Sequence, residues 1–479
     1  MKPIRIFLFL FLLLLFLVAG YGLLPSGLPG FAGLSFRNPI RTALERYSQT
    51  PLHKLLPNAP PVQDTGNIIP MLKPVIYHQQ AFTDSLLSAI PPLEYTGATG
   101  KKWEALIRYY QNLRKNGHSS HILYYGDSQI EGDRITGPVR DSLQHWFGGG
   151  GPGLFLPVMT VPVTATLRIE ADRAWHLEAC DRKPAAERTF PETGILLEHV
   201  YLSPLKNDGQ TTPVRASFKA TFQPFASRSV KTPDKIRIWF RGQEGPMDLR
   251  IQFDNMEITR KENVSDSLQE FSGVLTGISS GVSCTFEVTR PVVVEGVSLE
   301  KSAGIVVDNI PLRGRLMAYF SRADRTLLKQ MLISLDVRMV ILQFGLNSVA
   351  GGKEQVSAFA GILHHQIKTL RAIQPGIMIL VVGNTDMNVT PEASDSLSKK
   401  LSDIQRKVAL EEGCLFWDSY RAMGGSGSAL KWMKNNPPLI RPDYVHLSME
   451  GSVLLSSMLI RALQQEIMPV ISAEETKAE

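Results

Sequence analysis

Four short segments of this 479-residue chain carry side chains that could together cleave an ester. Ser128, in Gly126-Asp127-Ser128-Gln129, offers a hydroxyl. Asp443 and His446, in Arg441-Pro442-Asp443-Tyr444-Val445-His446, offer a carboxylate and an imidazole. A serine hydroxyl attacks an acyl carbon when a base takes its proton, and a histidine base needs a carboxylate to fix its tautomer and offset the imidazolium. The spacing of Asp443 and His446 lets the two side chains face each other on a turn or a helical start. Asn347, in Gly345-Leu346-Asn347, has an amide that could donate to an oxyanion. Gly314 has an unhindered backbone N–H for the same purpose, a kind of donor typically worth about 2.7–4 kcal/mol. Singly, each has a plainer use: a serine as a helix N-cap, glycine and asparagine in turns, Asp-x-x-His as a surface pair. His364 and His365, on an amphipathic stripe with no partner indicated, show how often a histidine has no catalytic task.

These residues act together only if strands bring them together, and each follows or neighbours a strand-length apolar run. His121 to Tyr125 precedes Ser128, the run from Val306 precedes Gly314, and Arg338 to Phe344 precedes Asn347; Ile377 to Val382 and Leu415 to Trp417 read as further buried parallel strands. Between them fall helical stripes: Trp103, Ile107, Tyr110 and Leu113, stopped by Asn116-Gly117; Val139, Leu143 and Trp146; Val356, Phe359, Leu363, Ile367 and Leu370; Leu397, Leu401, Ile404 and Val408; and a last helix from Glu450 to Ile467. This alternation predicts a three-layer α/β domain, and such folds bind ligands at the carboxyl ends of their strands. Ser128, between a strand end and a helix start, would then gain from the helix dipole.

The α/β pattern is interrupted. From roughly 155 to 300 no helix is evident, and runs such as 237–242, 248–253 and 292–297 alternate as strands, predicting an all-β sandwich or jelly roll. The run Gly148-Gly149-Gly150-Gly151-Pro152-Gly153 lacks the lysine and hydroxyl residue of a phosphate-binding loop and reads as a flexible entry to the insert. The resulting division is 1–24, 25–100 as a tether rich in proline and glycine, 101–153 and 301–470 as the two parts of the α/β domain, and 154–300 as the insert.

Composition narrows the function classes. Lys plus Arg number 51 against 45 Asp plus Glu, a net charge of +6. With no basic cluster interleaved with aromatics, no nucleic-acid partner is implied. Cys180, Cys284 and Cys414 are too few and too scattered for a metal knuckle or a disulfide framework, and spacing leaves open whether Cys180 and Cys284 pair. Lys2 and Arg5 precede an uncharged stretch from Phe7 to Leu24, long enough to cross a bilayer as an anchor and also compatible with a cleaved signal peptide. Either places the rest of the chain outside the cytoplasm.

Ser, Gly, Asn and His at successive strand ends, in that order, resemble the SGNH (GDSL-like) hydrolases. Gly126 to Gln129, Thr136-Gly-Pro-Val-Arg and Leu143 to Gly153 look like the opening of the peptidoglycan O-acetylesterase branch, which carries a β-sandwich insert. Gln343 to Asn347, Val382 to Met387 and Phe416 to His446 are similar to it in order. The resemblance spans about 101–468 and implies a flavodoxin-like catalytic domain. Ser128 would be the nucleophile, His446 the base and then acid, and Asp443 its orienting carboxylate, with the oxyanion held by the N–H groups of Ser128 and Gly314 and the side chain of Asn347. It further implies an acyl-serine intermediate, no cofactor or metal, and an O-acetylated cell-envelope carbohydrate as substrate. An O-acetyltransferase working with a membrane acetyl-donor protein, and a non-catalytic carbohydrate-binding protein, are the alternatives. Departures from the family pattern are Gln129, to which no chemistry is assigned, Pro311 and Ser348.

Overall fold

The computed structural model describes residues 86–387 and 394–478, except 162, 183, 208, 209, 278 and 279. The stretch Phe7 to Leu24 and most of the proposed tether lie outside the described residues. Among the described residues no helix is long and apolar enough to cross a membrane.

A five-stranded parallel sheet forms the α/β part of the described structure. Its strands are β1 (Ser119–Gly126), β2 (Gly304–Pro311), β3 (Met339–Gln343), β4 (Met378–Val382) and β5 (Leu415–Trp417). They lie in the order β2-β1-β3-β4-β5, the flavodoxin-like arrangement. Successive side chains of a strand point to opposite faces, and both faces here are apolar. Ile122 and Tyr124 of β1 enter one core with Met339, Ile341, Leu380 and Trp417, while Leu123 and Tyr125 enter the other with Val340, Leu342, Val381 and Phe416. Helices α1 (Gly97–Asn116), α2 (Thr136–Phe147) and α7 (Met449–Ala478) close the first face; α3 (Arg325–Ser334), α5 (Lys353–Ile373) and α6 (Ser394–Glu411) close the second, with the short α4 (Leu346–Ala350) at the end of β3.

Helix α1 begins at Gly97 rather than Lys101 because the Thr96 hydroxyl caps it by accepting the Thr99 N–H. Helix α3 carries no strong turn signal beyond its Asp324 cap and escaped the sequence reading; Leu327, Leu328, Met331 and Leu332 are its buried stripe.

Between α2 and β2 the described residues build an antiparallel sheet of five strands, a second of six, in which Gly153–Phe155 pairs with Val292–Glu300 beside a path of five, and a two-stranded hairpin of Leu205–Asn207 and Gln210–Thr212. In Gly245–Phe253 the expected alternation holds: Met247, Leu249, Ile251 and Phe253 are buried, and Asp248, Arg250 and Gln252 exposed. Among the described residues, only the short helices Ala185–Glu187 and Arg228–Lys231 break the β pattern. Val292–Glu300 is buried along its whole length, and its polar side chains find partners: Arg241 donates to Glu295 at 2.8 Å, and Glu300 meets His121 of β1 at 3.0 Å.

Insert and parallel sheet are fastened by charge and hydrogen bonds at a largely buried seam. His121 also meets Asp308 of β2 at 2.7 Å, Arg237 donates to the carbonyl of Ser334 at 2.7 Å, and the Tyr125 hydroxyl donates to the carbonyl of Ile195 at 2.6 Å. The glycine run is not a flexible entry. Gly149 (φ 109°) and Gly151 (φ 88°) occupy backbone that disfavours side chains, and a Cβ on either would lie 2.0–2.1 Å from the carbonyl oxygens of Ile305 and Leu299. The run is a strap pressed on the corner leading into β2, pinned by Ile305 N–H to Gly148 and Lys301 N–H to Gly150.

Candidate active site

The carboxyl ends of the parallel strands line up in one row: Gly126 is opposite Pro311 of β2 and Gln343 of β3, Gln343 opposite Val382, and Val382 opposite Trp417. Because β2 and β3 flank β1 on opposite sides, the strand order reverses there, the switch point at which such sheets leave a crevice, here above β1 and β3. Ser128 follows β1 and Asn347 follows β3, so both stand at that crevice.

Ser128 does not cap a helix. A turn and the short helix Glu131–Asp133 separate it from α2, which starts at Thr136. The dipole assistance expected at a helix start is therefore unavailable, and the loop 127–135 is held by side chains instead. Asp127 Oδ1 accepts the Gln129 N–H at 3.0 Å. Asn309 of β2 donates to the Ile130 carbonyl at 2.9 Å and accepts the Thr136 hydroxyl at 2.7 Å. Arg134 donates to the carbonyls of Ser128 and of Glu131, and Asp133 takes the buried Arg140 guanidinium at 2.9 Å. Burial pushes the Asp127 carboxyl up to about 6 in spite of the N–H groups of Gln129, Leu346 and Gly345 directed at it.

Ser128, His446 and Asp443 form one hydrogen-bonded chain. Ser128 Oγ lies 2.8 Å from His446 Nε2, and His446 Nδ1 lies 2.8 Å from Asp443 Oδ2. Asp443 Oδ1 accepts the N–H groups of Val445 and His446, each at 2.9 Å. Burial opposes ionisation of Asp443, yet those two N–H groups and the imidazole outweigh it and hold the carboxyl below its ordinary value. A tight turn makes the geometry: Tyr444 takes φ 59°, its N–H returns to the Arg441 carbonyl, and the Arg441 N–H donates to the His446 carbonyl at 2.8 Å. The arrangement can carry a proton from a serine hydroxyl to an imidazole held in one tautomer.

Asn347 and Gly314 meet through a neighbour. The Asn347 amide donates to the carbonyl of Arg315 at 2.9 Å, which joins the end of β3 to the turn after β2. That turn closes through the Arg315 N–H to Leu312, whose own N–H donates to Gly126, and Gly314 sits in it at φ 76° with open space around its Cα. Gly345, at φ 150°, brings β3 into α4; a Cβ there would lie 2.6 Å from that of Asn384.

One residue of this site carries more than the sequence reading gave it. Gln129 is buried, and its amide bridges the Ser128 loop to the His446 loop: Nε2 donates to the Val445 carbonyl at 3.2 Å and Oε1 accepts the Leu447 N–H at 3.2 Å. No residue-type rule flags this task, because a glutamine beside a serine has no signature until both loops are placed. His364 lies on α5 and meets Glu412 at 2.8 Å, so it has a partner but none of the site. Cys180, Cys284 and Cys414 are buried free thiols. A cavity of about 480 Å³, lined by Gly117, His118, Asp234, Lys235, Ser302 and Asp336, lies at the amino end of β1, the opposite end from Ser128. Among the described residues no group of histidine, cysteine, aspartate and glutamate is placed to hold a metal.

Comparison with known proteins places this architecture. Residues 287–454 match the GDSL-like lipase/acylhydrolase family model; Ser128 lies before the matched segment and His446 within it. No curated protein sequence matches. Among solved structures, a peptidoglycan O-acetylesterase is similar with a TM-score of 0.61 and 19% identity, over 79% of this chain and 99% of that one. A family two carbohydrate esterase from Cellvibrio japonicus aligns with a TM-score of 0.22 and 9% identity, over 63% of this chain and 98% of that one. The first of these likenesses is one of fold. The chain thus shares the fold of that esterase, and the segment carrying four of its five parallel strands matches the GDSL-like lipase/acylhydrolase family model.

Proposed function

We propose that this chain is an extracytoplasmic serine esterase that removes O-acetyl groups from cell-envelope carbohydrate. The observation that carries the reading is the chain from Ser128 Oγ through His446 to Asp443, with both links at 2.8 Å. The likeness of fold to a peptidoglycan O-acetylesterase, over 79% of this chain, supports the substrate class. The uncharged stretch Phe7 to Leu24 supports export.

In this mechanism His446 Nε2 takes the Ser128 proton as Oγ bonds to the acetyl carbonyl carbon. The charge that develops on the carbonyl oxygen is met by the N–H groups of Ser128 and Gly314 and by the second amide hydrogen of Asn347, the first being used on Arg315. Collapse breaks the bond from the acyl carbon to the sugar oxygen, and His446 returns the proton to that oxygen. Water, deprotonated by His446, then attacks the acetyl-Ser128 ester and releases acetate. Asp443 stays ionised throughout and keeps the Nδ1 proton in place.

The test is acetate release by the purified full-length chain from acetylated peptidoglycan and from 4-nitrophenyl acetate, beside Ser128→Ala. Release abolished in the variant is the expected result. Undiminished release from Ser128→Ala overturns the assignment, and release from the aryl ester alone overturns the carbohydrate substrate.

A further inference from the structure

Two guanidinium groups stand beside the proposed nucleophile and base without a carboxylate of their own. Arg134 is fixed by its donations to the Ser128 and Glu131 carbonyls, and its remaining Nη1 is buried with no hydrogen-bond partner. Arg441 is exposed, opens the turn that carries Asp443 and His446, and has no ion pair or side-chain hydrogen bond among the described residues. The carboxylates nearby are already engaged: Glu131 with Arg313, Asp443 with His446, and Asp127 with backbone N–H groups. Arg134 holds the Ser128 carbonyl and the Arg441 N–H holds the His446 carbonyl, and Ser128 and His446 are themselves 2.8 Å apart, so both cations flank one site; burial and the Arg441 charge depress the Arg134 guanidinium, which Glu131 and Asp127 offset only in part. Holding two like charges together in a partly buried crevice is unfavourable, and an anion between them reverses the sign. A guanidinium offers paired N–H donors that fit carboxylate and phosphate oxygens.

We propose that Arg134 and Arg441 form an anion subsite beside Ser128, and that the acetylated sugar taken by this enzyme bears a carboxylate or phosphoryl group near its ester. The inference rests on the carbohydrate esterase reading and names its substrate class. Neutral acetylated sugars enter the same crevice but bring no anion to the two guanidinium groups.

The experiment compares kcat/KM for acetyl esters of glucose, glucuronic acid and glucose 6-phosphate, acetylated at the same hydroxyl, in the parent chain and in Arg441→Gln. Arg441 has no side-chain partner to lose, so this variant tests charge rather than folding. The expected result is a preference for an anionic ester over the glucose ester of about tenfold or more at low salt. That preference shrinks at least about threefold in Arg441→Gln and fades as ionic strength rises. Whichever anionic ester is preferred identifies the group. Equal rates for the three sugars in the parent chain overturn the subsite and leave the esterase reading standing. An equal loss on all three in Arg441→Gln also overturns it, since the charge would then act on the acetyl oxyanion. Hydrolysis of 4-nitrophenyl acetate with none of the sugar esters cleaved overturns the carbohydrate reading and, with it, the subsite.

Discussion

Replacing Gln129 with leucine removes a bridge that the geometry assigns to the spacing between nucleophile and base. The parent side chain is buried and satisfies the Val445 carbonyl and the Leu447 N–H, on either side of His446, at 3.2 Å each. Leucine has similar bulk but can do neither, so the buried Leu447 N–H and the half-buried Val445 carbonyl lose their partners. An unpaired buried group costs about 1–3 kcal/mol, so the pair costs about 2–6 kcal/mol. The histidine loop relieves that cost by moving toward solvent, which lengthens the 2.8 Å contact from Ser128 to His446. A displacement of about 1 Å in a reacting group lowers turnover roughly 100-fold. Steady-state kinetics on 4-nitrophenyl acetate, read beside a thermal melt, should therefore show kcat falling about 100-fold with KM little changed. A lowered melting temperature with kcat within about twofold of the parent would refute the reasoning, because the bridge would then hold the fold without setting the proton-transfer distance.

Asp443→Asn should cut kcat by about 100-fold to 10,000-fold, because the amide no longer stabilises the imidazolium; a loss under tenfold would remove Asp443 from its assigned role. The seam between insert and sheet should make stability pH-dependent. Burial works against a charged His121, but Asp308 and Glu300 outweigh it and raise the ring to about 9; burial likewise opposes ionised Glu300, but His121, Arg237 and Ser298 bring it down to about 2. The histidine contribution is complete below the unfolded value of 6.5 and is lost as pH rises through about 9, while the glutamate contribution is complete above 4.5 and is lost as pH falls through about 2. The melting temperature should thus peak between those two unfolded values and drop toward pH 9, with a flatter alkaline limb in Asp308→Asn; a parent melt unchanged from pH 6 to 10 contradicts a charged His121.

The sequence by itself determined the parallel strands, since runs such as 339–342 and Met378–Val382 are apolar at every position, which only a sheet covered on both faces demands. It also determined the β character of the insert, because alternation in Gly245–Phe253 is a local property of a half-buried strand. Ser128, Asp443 and His446 were legible as types of group with a chemistry in common. Tertiary structure alone decided that Oγ and Nε2 stand 2.8 Å apart across 318 residues of chain. It also decided that the Ser128 loop is held by Asn309 and Arg134 rather than by a helix start. The glycine strap was misjudged for a related reason: composition reports what a backbone can do, and only the neighbouring carbonyls of Ile305 and Leu299 report what it is prevented from doing. Gln129 and Arg441 were silent in the sequence because hydrogen-bond partners and uncompensated charge are relations between distant segments. Residue periodicity is written along the chain, whereas these relations exist only once β1, β3 and the loop before α7 share one end of the sheet.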